Sequence, residues 1–132
     1  MTPKKAKITP AEWEIMEAIW SLGKSKSVRE VMEHAYPHGE KAYTTVQTLM
    51  NLLTKKGLLS RKKIGMVNFY TPTRTRKEMV KKETQSLVSR VFNGSAPALA
   101  SFLIDQEDLD MEEIQKIKNL LDEKEKKLRG QK

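Results

Sequence analysis

The stretch AYTTVQTLMNLLTKKG, from Ala42 to Gly57, separates into two faces when wound as a helix. Val46, Leu49, Met50 and Leu53 recur at the i, i+3, i+4, i+7 spacing of a buried stripe. Thr44, Gln47, Thr48 and Asn51 repeat that spacing on the outer side. This outer face is polar but uncharged, whereas a merely solvated helix favours Glu and Lys. Threonine also lowers helix propensity, by several tenths of a kcal/mol relative to Ala. Hydroxyls and amides both donate and accept hydrogen bonds, as base edges in a DNA major groove require. The stretch is therefore a candidate recognition helix, with an ordinary polar surface helix as the alternative.

Moving outward, helix signals precede this stretch. Thr9-Pro10-Ala11-Glu12 is a capping box with proline at the first helical position. Ile15, Met16, Ile19 and Leu22 form the stripe that follows, and Gly23 is placed to end it. Trp13 and Trp20 lie seven apart on a neighbouring face, as core or as a shelf for another element rather than as platforms for bases. A second box, Ser27-Val28-Arg29-Glu30, opens a shorter helix carrying Val28, Val31, Met32 and Ala35, stopped by Pro37 and Gly39. Two helices joined by a short connection make a helix-turn-helix, whose second member enters the major groove. Tyr43, Thr44, Thr45, Gln47, Thr48 and Asn51 are then the candidate base contacts.

Beyond Gly57 the period changes. Ser60-Arg61-Lys62-Lys63 and Val67-Asn68-Phe69-Tyr70 are short β-prone runs around Gly65, closed by Pro72, and predict a hairpin. As a wing, it would lay Arg61, Lys62 and Lys63 on phosphates together with Lys55; a lysine-guarded edge strand has the same pattern. The predicted fold is mainly α: a winged helix-turn-helix over residues 1–73, then a helical region over 74–132. That region carries helices over Thr75–Asn93 and Ser95–Ile104, and a third opened by the capping box Asp110-Met111-Glu112-Glu113. Leu87, Val91, Phe92, Leu99, Phe102, Leu103, Ile114, Ile117 and Leu121 exceed what three short helices can bury alone. They predict pairing with a second copy, which would offer two recognition helices to a palindrome. From Asp122 to Lys132 the charged tail is expected to fray in solvent.

Composition narrows the function. The 132 residues carry a net charge of +8, unevenly placed: residues 1–82 hold 17 Lys/Arg against 7 Asp/Glu, and residues 83–132 hold 8 against 10. Such asymmetry suits a polyanion-binding module joined to one with another task. With no cysteine, disulfides and thiolate metal sites are excluded. No apolar run nears the roughly 20 residues of a membrane span, and MTPKKAKITP lacks the apolar segment of a secretory signal, so a cytoplasmic protein is expected. His34 and His38 lack neighbours at metal-ligand spacing, and no phosphate loop or nucleophile elbow is present. No catalytic residue, metal or cofactor is predicted. A protein-binding scaffold and a nonspecific or RNA-directed binder remain as rivals. RNA readers display stacking aromatics, and only Tyr43 is placed to serve on the outer face.

Several strings resemble the penicillinase and methicillin-resistance repressors. They are Ile8-Thr9-Pro10-Ala11-Glu12-Trp13-Glu14-Ile15-Met16 with Ile19-Trp20; Thr45-Val46-Gln47-Thr48-Leu49 with Leu53 and Lys55-Lys56-Gly57; Phe69-Tyr70-Thr71-Pro72; and Phe92-Asn93-Gly94 with Asp108-Leu109 through Ile114 and Leu120-Leu121. The resemblance implies a dimeric winged-helix repressor binding double-stranded DNA at inverted repeats upstream of β-lactamase and related genes. It also implies relief by proteolysis prompted by a membrane sensor with a protease domain. Where the best-known members are cut at Asn-Phe, this chain has Ser101-Phe102. Gln47 stands where the family commonly has Arg, and Ala42-Tyr43 where it has Ser-Pro, which implies a different operator. A copper-responsive branch uses a cysteine site that this chain lacks.

Overall fold

A computed structural model describes residues 7–106 and 108–130. The basic N-terminus up to residue 6 and the last two residues of the tail, both interpreted above, lie outside them. Six helices and one hairpin follow in order: α1 (Pro10–Leu22), α2 (Val28–Ala35), α3 (Tyr43–Lys55), β1 (Leu59–Ile64), β2 (Val67–Pro72), α4 (Arg76–Val91), α5 (Ala96–Gln106) and α6 (Met111–Gly130). The chain divides into two compact units, residues 1–83 and 84–132, with α4 running through the division.

In the first unit, local sequence sets where each helix begins. Thr9 Oγ1 accepts from the Glu12 N–H and Glu12 Oε1 accepts from the Thr9 N–H, at 3.2 and 2.8 Å. Ser27 and Glu30 repeat the exchange at α2, at 3.2 and 2.8 Å. Each box satisfies two backbone donors that the first helical turn leaves unpaired. α3 starts differently: Ala42 is extended and supplies no side-chain cap.

The apolar stripes meet in one core. Ile15, Met16 and Ile19 of α1, Val28 and Val31 of α2, and Val46, Met50 and Leu53 of α3 are buried with Tyr36, Leu59 and Tyr70. Full burial of such side chains stabilises by about 1.5–3 kcal/mol each, so this cluster is what holds the three helices and the hairpin together. At the end of α3, Gly57 takes φ +80, a left-handed conformation that lets the Leu58 N–H reach back to the Leu53 carbonyl at 3.0 Å. That reversal turns the chain directly into β1.

β1 and β2 pair antiparallel in the register Leu59↔Pro72 through Ile64↔Val67. The loop is two residues, Gly65 and Met66, and Gly65 supplies the positive φ (+65) that a twist-matched hairpin needs. A third segment joins the hairpin: Lys26 and Tyr70 exchange both backbone hydrogen bonds, at 3.0 and 2.8 Å. Trp20 is half-buried, stands edge-on to Trp13 at 5.6 Å, and donates its indole N–H to the Arg74 carbonyl. It is the shelf on which the strand exit rests.

In the second unit, Asp110 and Glu113 form the capping box of α6. Contrary to the frayed tail expected from sequence, α6 continues to Gly130. Its last turns are made of Glu and Lys, which have high helix propensity, and Arg129 pairs with Glu125 one turn back at 2.7 Å. The Phe92 and Phe102 rings lie 6.2 Å apart. No side chain of α6 is buried, and Phe102, Leu103, Ile104, Leu120, Leu121 and Leu128 are all exposed. Among the described residues no single helix is long and apolar enough to cross a membrane; α4 and α5 pass by length and composition only as a pair, bent by 88°.

Candidate nucleic-acid interface

The core packing of Val46, Met50 and Leu53 fixes which side of α3 faces outward. Tyr43, Thr44, Thr45 and Thr48 are exposed there, while Gln47 and Asn51 are half-buried along the same side. Two of the sequence-predicted residues meet directly. Asn51 Oδ1 accepts from Arg61 Nη1 and from the Tyr70 hydroxyl, both at 2.8 Å. These bonds clamp the middle of α3 to both strands of the hairpin. They engage the carbonyl end of Asn51, while its amide nitrogen has no partner among the described residues.

Thr48, Asn51, Lys55 and Arg61 line one open groove of about 410 Å³ between α3 and β1. Strand alternation then sorts the basic residues of the wing. Leu59 points into the core and Arg61 reaches α3, so Lys63 shares their face and Lys62 lies on the opposite one. Arg61, Lys62 and Lys63 are all exposed, as is Lys55.

The segment that builds α3 and the hairpin carries charge of one sign. Between Glu40 and Glu78 the chain contains no acidic residue, while Lys41, Lys55, Lys56, Arg61, Lys62, Lys63, Arg74, Arg76 and Lys77 all fall within that interval. Two of these cations are neutralised by α1. Arg76 forms a two-pronged pair with Glu17 at 2.9 and 3.0 Å, which holds the Glu17 carboxyl below the usual carboxylate range and raises Arg76. Lys56 Nζ lies 2.6 Å from Glu12 Oε1 and 2.7 Å from the Lys7 carbonyl. Of the rest, the positive charge of Lys55 in the last turn of α3 and of Arg61, Lys62 and Lys63 along β1 is exposed. It is suited to a polyanion lying across both elements.

Four features of this surface escaped sequence reasoning. The Glu12–Lys56 and Glu17–Arg76 pairs join residues far apart in the chain, and no local pattern announces them. Lys26 sits in a segment too short to show strand periodicity. Met66, at the hairpin tip, was legible only as part of a turn. His34 and His38 lie at the end of α2 and in the next loop, and the His38 backbone N–H is held by Glu40 at 2.9 Å. Among the described residues no three His, Cys, Asp or Glu side chains gather as metal ligands would.

In the second unit, Leu87, Val91, Phe102, Leu103, Ile117 and Leu121 are exposed, and Phe92, Leu99 and Ile114 are half-buried. Ser101 and Phe102 are adjacent exposed residues of α5.

Comparison with known proteins adds to this geometry. The sequence model of a family described as "Penicillinase repressor" matches residues 8–123. The methicillin resistance regulatory protein MecI of Staphylococcus aureus is 29% identical over 124 residues, covering 94% of this chain and 100% of that protein. An uncharacterized 16.5 kDa protein of Latilactobacillus sakei is 33% identical over 121 residues, covering 92% of this chain and 82% of that one. Among solved structures, the solution structure of the DNA binding domain of the repressor BlaI aligns with a TM-score of 0.49 and 32% identity, over 59% of this chain and 90% of that one.

Proposed function

The chain belongs to the penicillinase repressor family and is a winged-helix DNA-binding regulator rather than an enzyme; on that premise we propose that it acts as a homodimeric transcriptional repressor of an inverted-repeat operator. The observation that carries this reading is the continuity of two surfaces. The neutral polar face of α3 runs through the Asn51–Arg61 contact onto an acid-free basic hairpin. Neutral donors and acceptors suit base edges, and lysine and arginine suit phosphates.

In this reading Tyr43, Thr44, Thr45, Gln47, Thr48 and the amide of Asn51 face the bases. Lys55, Arg61, Lys62 and Lys63 face phosphates. Gln47 supplies a carboxamide, which pairs with adenine where an arginine would pair with guanine, so the operator differs from one read by arginine. The exposed apolar residues of α5 and α6 pair with a second copy and set the spacing of two half-sites. Repression is passive, by occupation of a promoter in the cytoplasm, with genes of the β-lactamase type as the candidate targets. Relief by a sensor protease is placed at Ser101–Phe102. Both residues are exposed, and cutting there separates Phe102 and α6 from the chain that carries Phe92.

The test is selection of bound duplexes from a random library by the full chain at physiological salt. An enriched inverted repeat is expected. Salt-sensitive binding with no enriched sequence would overturn the operator-specific role.

A further inference from the structure

Met66 occupies the tip of the hairpin and is 90% exposed. Its neighbours Ile64 and Val67, the last paired residues of the hairpin, are 58% and 45% exposed. Folding does not call for a methionine here. Gly65 already provides the positive φ of the turn, and the second loop position after such a glycine is ordinarily filled by Asn, Asp or Ser. A bare apolar tip gains nothing until another surface covers it.

The charge and position of the tip identify that surface. Arg61, Lys62 and Lys63 precede it on β1, and no acidic side chain lies anywhere between Glu40 and Glu78. The tip is also continuous with the face of α3 through the Arg61–Asn51 contact at 2.8 Å. From buried Leu59 to Ile64, β1 advances roughly 17 Å at the usual rise per residue. That is about half of the ~34 Å repeat of B-DNA, the step from a major groove to the adjoining minor groove. The minor groove is only about 6 Å wide, and an unbranched, flexible thioether on a two-residue loop is slim enough to enter it.

Resting on the DNA-binding role proposed above, we propose that Met66, backed by Ile64, enters the minor groove flanking each half-site. There it selects flanks that are A·T-rich or easily unstacked. An apolar side chain offers no partner to the guanine N2 amine that projects into this groove, and apolar wedges favour steps that open readily. Lys62 and Lys63 hold the phosphates on either side.

The experiment uses the full chain and its selected operator with three flanks: A·T, G·C, and I·C. Inosine removes the minor-groove amine and leaves the major-groove pattern of guanine in place. The wild type is expected to bind the A·T and I·C flanks about fivefold more tightly than the G·C flank. Met66→Ser, in an exposed loop that tolerates a polar residue, is expected to reduce that preference below about twofold while keeping the salt dependence and the half-site preference. Indifference of the wild type to inosine would overturn the proposal. So would a Met66→Ser loss equal on all flanks, or a shift of the monomer–dimer midpoint, which would make the tip a protein contact. Absence of specific binding to any duplex would overturn the DNA-binding role as well, whereas specific binding without a flank effect overturns the wing-tip role alone.

Discussion

Asn51, in the middle of α3, receives the hydroxyl proton of Tyr70, in β2, at 2.8 Å. Tyr70 is fully buried, so its hydroxyl depends on that one acceptor, whereas Asn51 also accepts from Arg61. The two truncations are therefore unequal. Tyr70→Phe removes one bond and is expected to cost about 0.5–1.5 kcal/mol. Asn51→Ala strands a buried hydroxyl and is expected to cost about 1–3 kcal/mol, more than Thr44→Ala or Thr48→Ala on the exposed face of the same helix. Urea unfolding of the four variants checks the order. An Asn51→Ala variant as stable as Thr48→Ala would show that the clamp contributes nothing to folding.

Lys55 and Lys56 are neighbours in sequence with opposite expected roles. Lys55 is exposed on the groove beside Arg61, while Lys56 reaches Glu12, whose side chain is only 2% exposed. Removing Lys56 leaves a buried charge held by the Thr9 N–H alone, which is expected to cost roughly 2–4 kcal/mol of stability. Lys55→Ala is expected to leave the unfolding midpoint nearly unchanged. It should instead reduce the slope of log affinity against log salt by about 0.9, the share of one phosphate contact. Unfolding and salt titrations on both variants separate the two; a Lys56→Ala variant of normal stability would overturn the assignment.

How much of this was legible in sequence follows the range of each interaction. The capping pairs Thr9/Glu12, Ser27/Glu30 and Asp110/Glu113 span three residues, and their partners stand in the string itself. Val46, Met50 and Leu53 announced their burial through helical spacing, and Gly65 announced the turn through its place between two β-prone runs. Asn51 shows where such reading stops. Its spacing from Thr44, Gln47 and Thr48 placed it on the outer face, yet the partners that engage its oxygen come from a hairpin that periodicity cannot position. Glu12–Lys56 and Trp20–Arg74 were hidden for the same reason. The end of α6 was misjudged differently: high charge suggested a loose tail, but Glu and Lys at helical spacing sustain a helix.

Acid is expected to weaken the fold through Glu30 and Glu17. The Ser27 N–H, donated to Glu30, and the Arg76 guanidinium, bonded to Glu17, hold these carboxyls below the ordinary value of 4.5. A carboxyl lowered in the folded state contributes fully above its unfolded value. The contribution shrinks as pH falls through 4.5 and is gone below the lowered folded value. Glutamine can complete a capping box without titrating. Glu30→Gln is therefore expected to retain α2 at neutral pH and to lose less stability than the wild type on acidification. Urea midpoints from pH 7 to pH 3 check this. Parallel acid limbs for the two proteins would mean that Glu30 carries none of the dependence.

The exposed apolar residues of the second unit give the proposed dimer its own test. Phe102 of α5 is 51% exposed and Leu121 of α6 is 63% exposed, in a unit whose last helix buries no side chain. A charge placed at either position would be desolvated by pairing with a second copy, at a cost large enough to favour the monomer. The wild type is expected to sediment as a dimer, and Phe102→Glu and Leu121→Glu as monomers at the same concentrations. Their unfolding in the first unit should be unchanged, because the core of Ile15, Val46 and Tyr70 is built entirely from residues before Glu83. Binding to a single half-site is expected to persist. Binding to the full inverted repeat should fall by about a hundredfold or more, since the second half-site is no longer joined to the first. Variants that stay dimeric and keep full operator affinity would place the pairing surface away from α5 and α6.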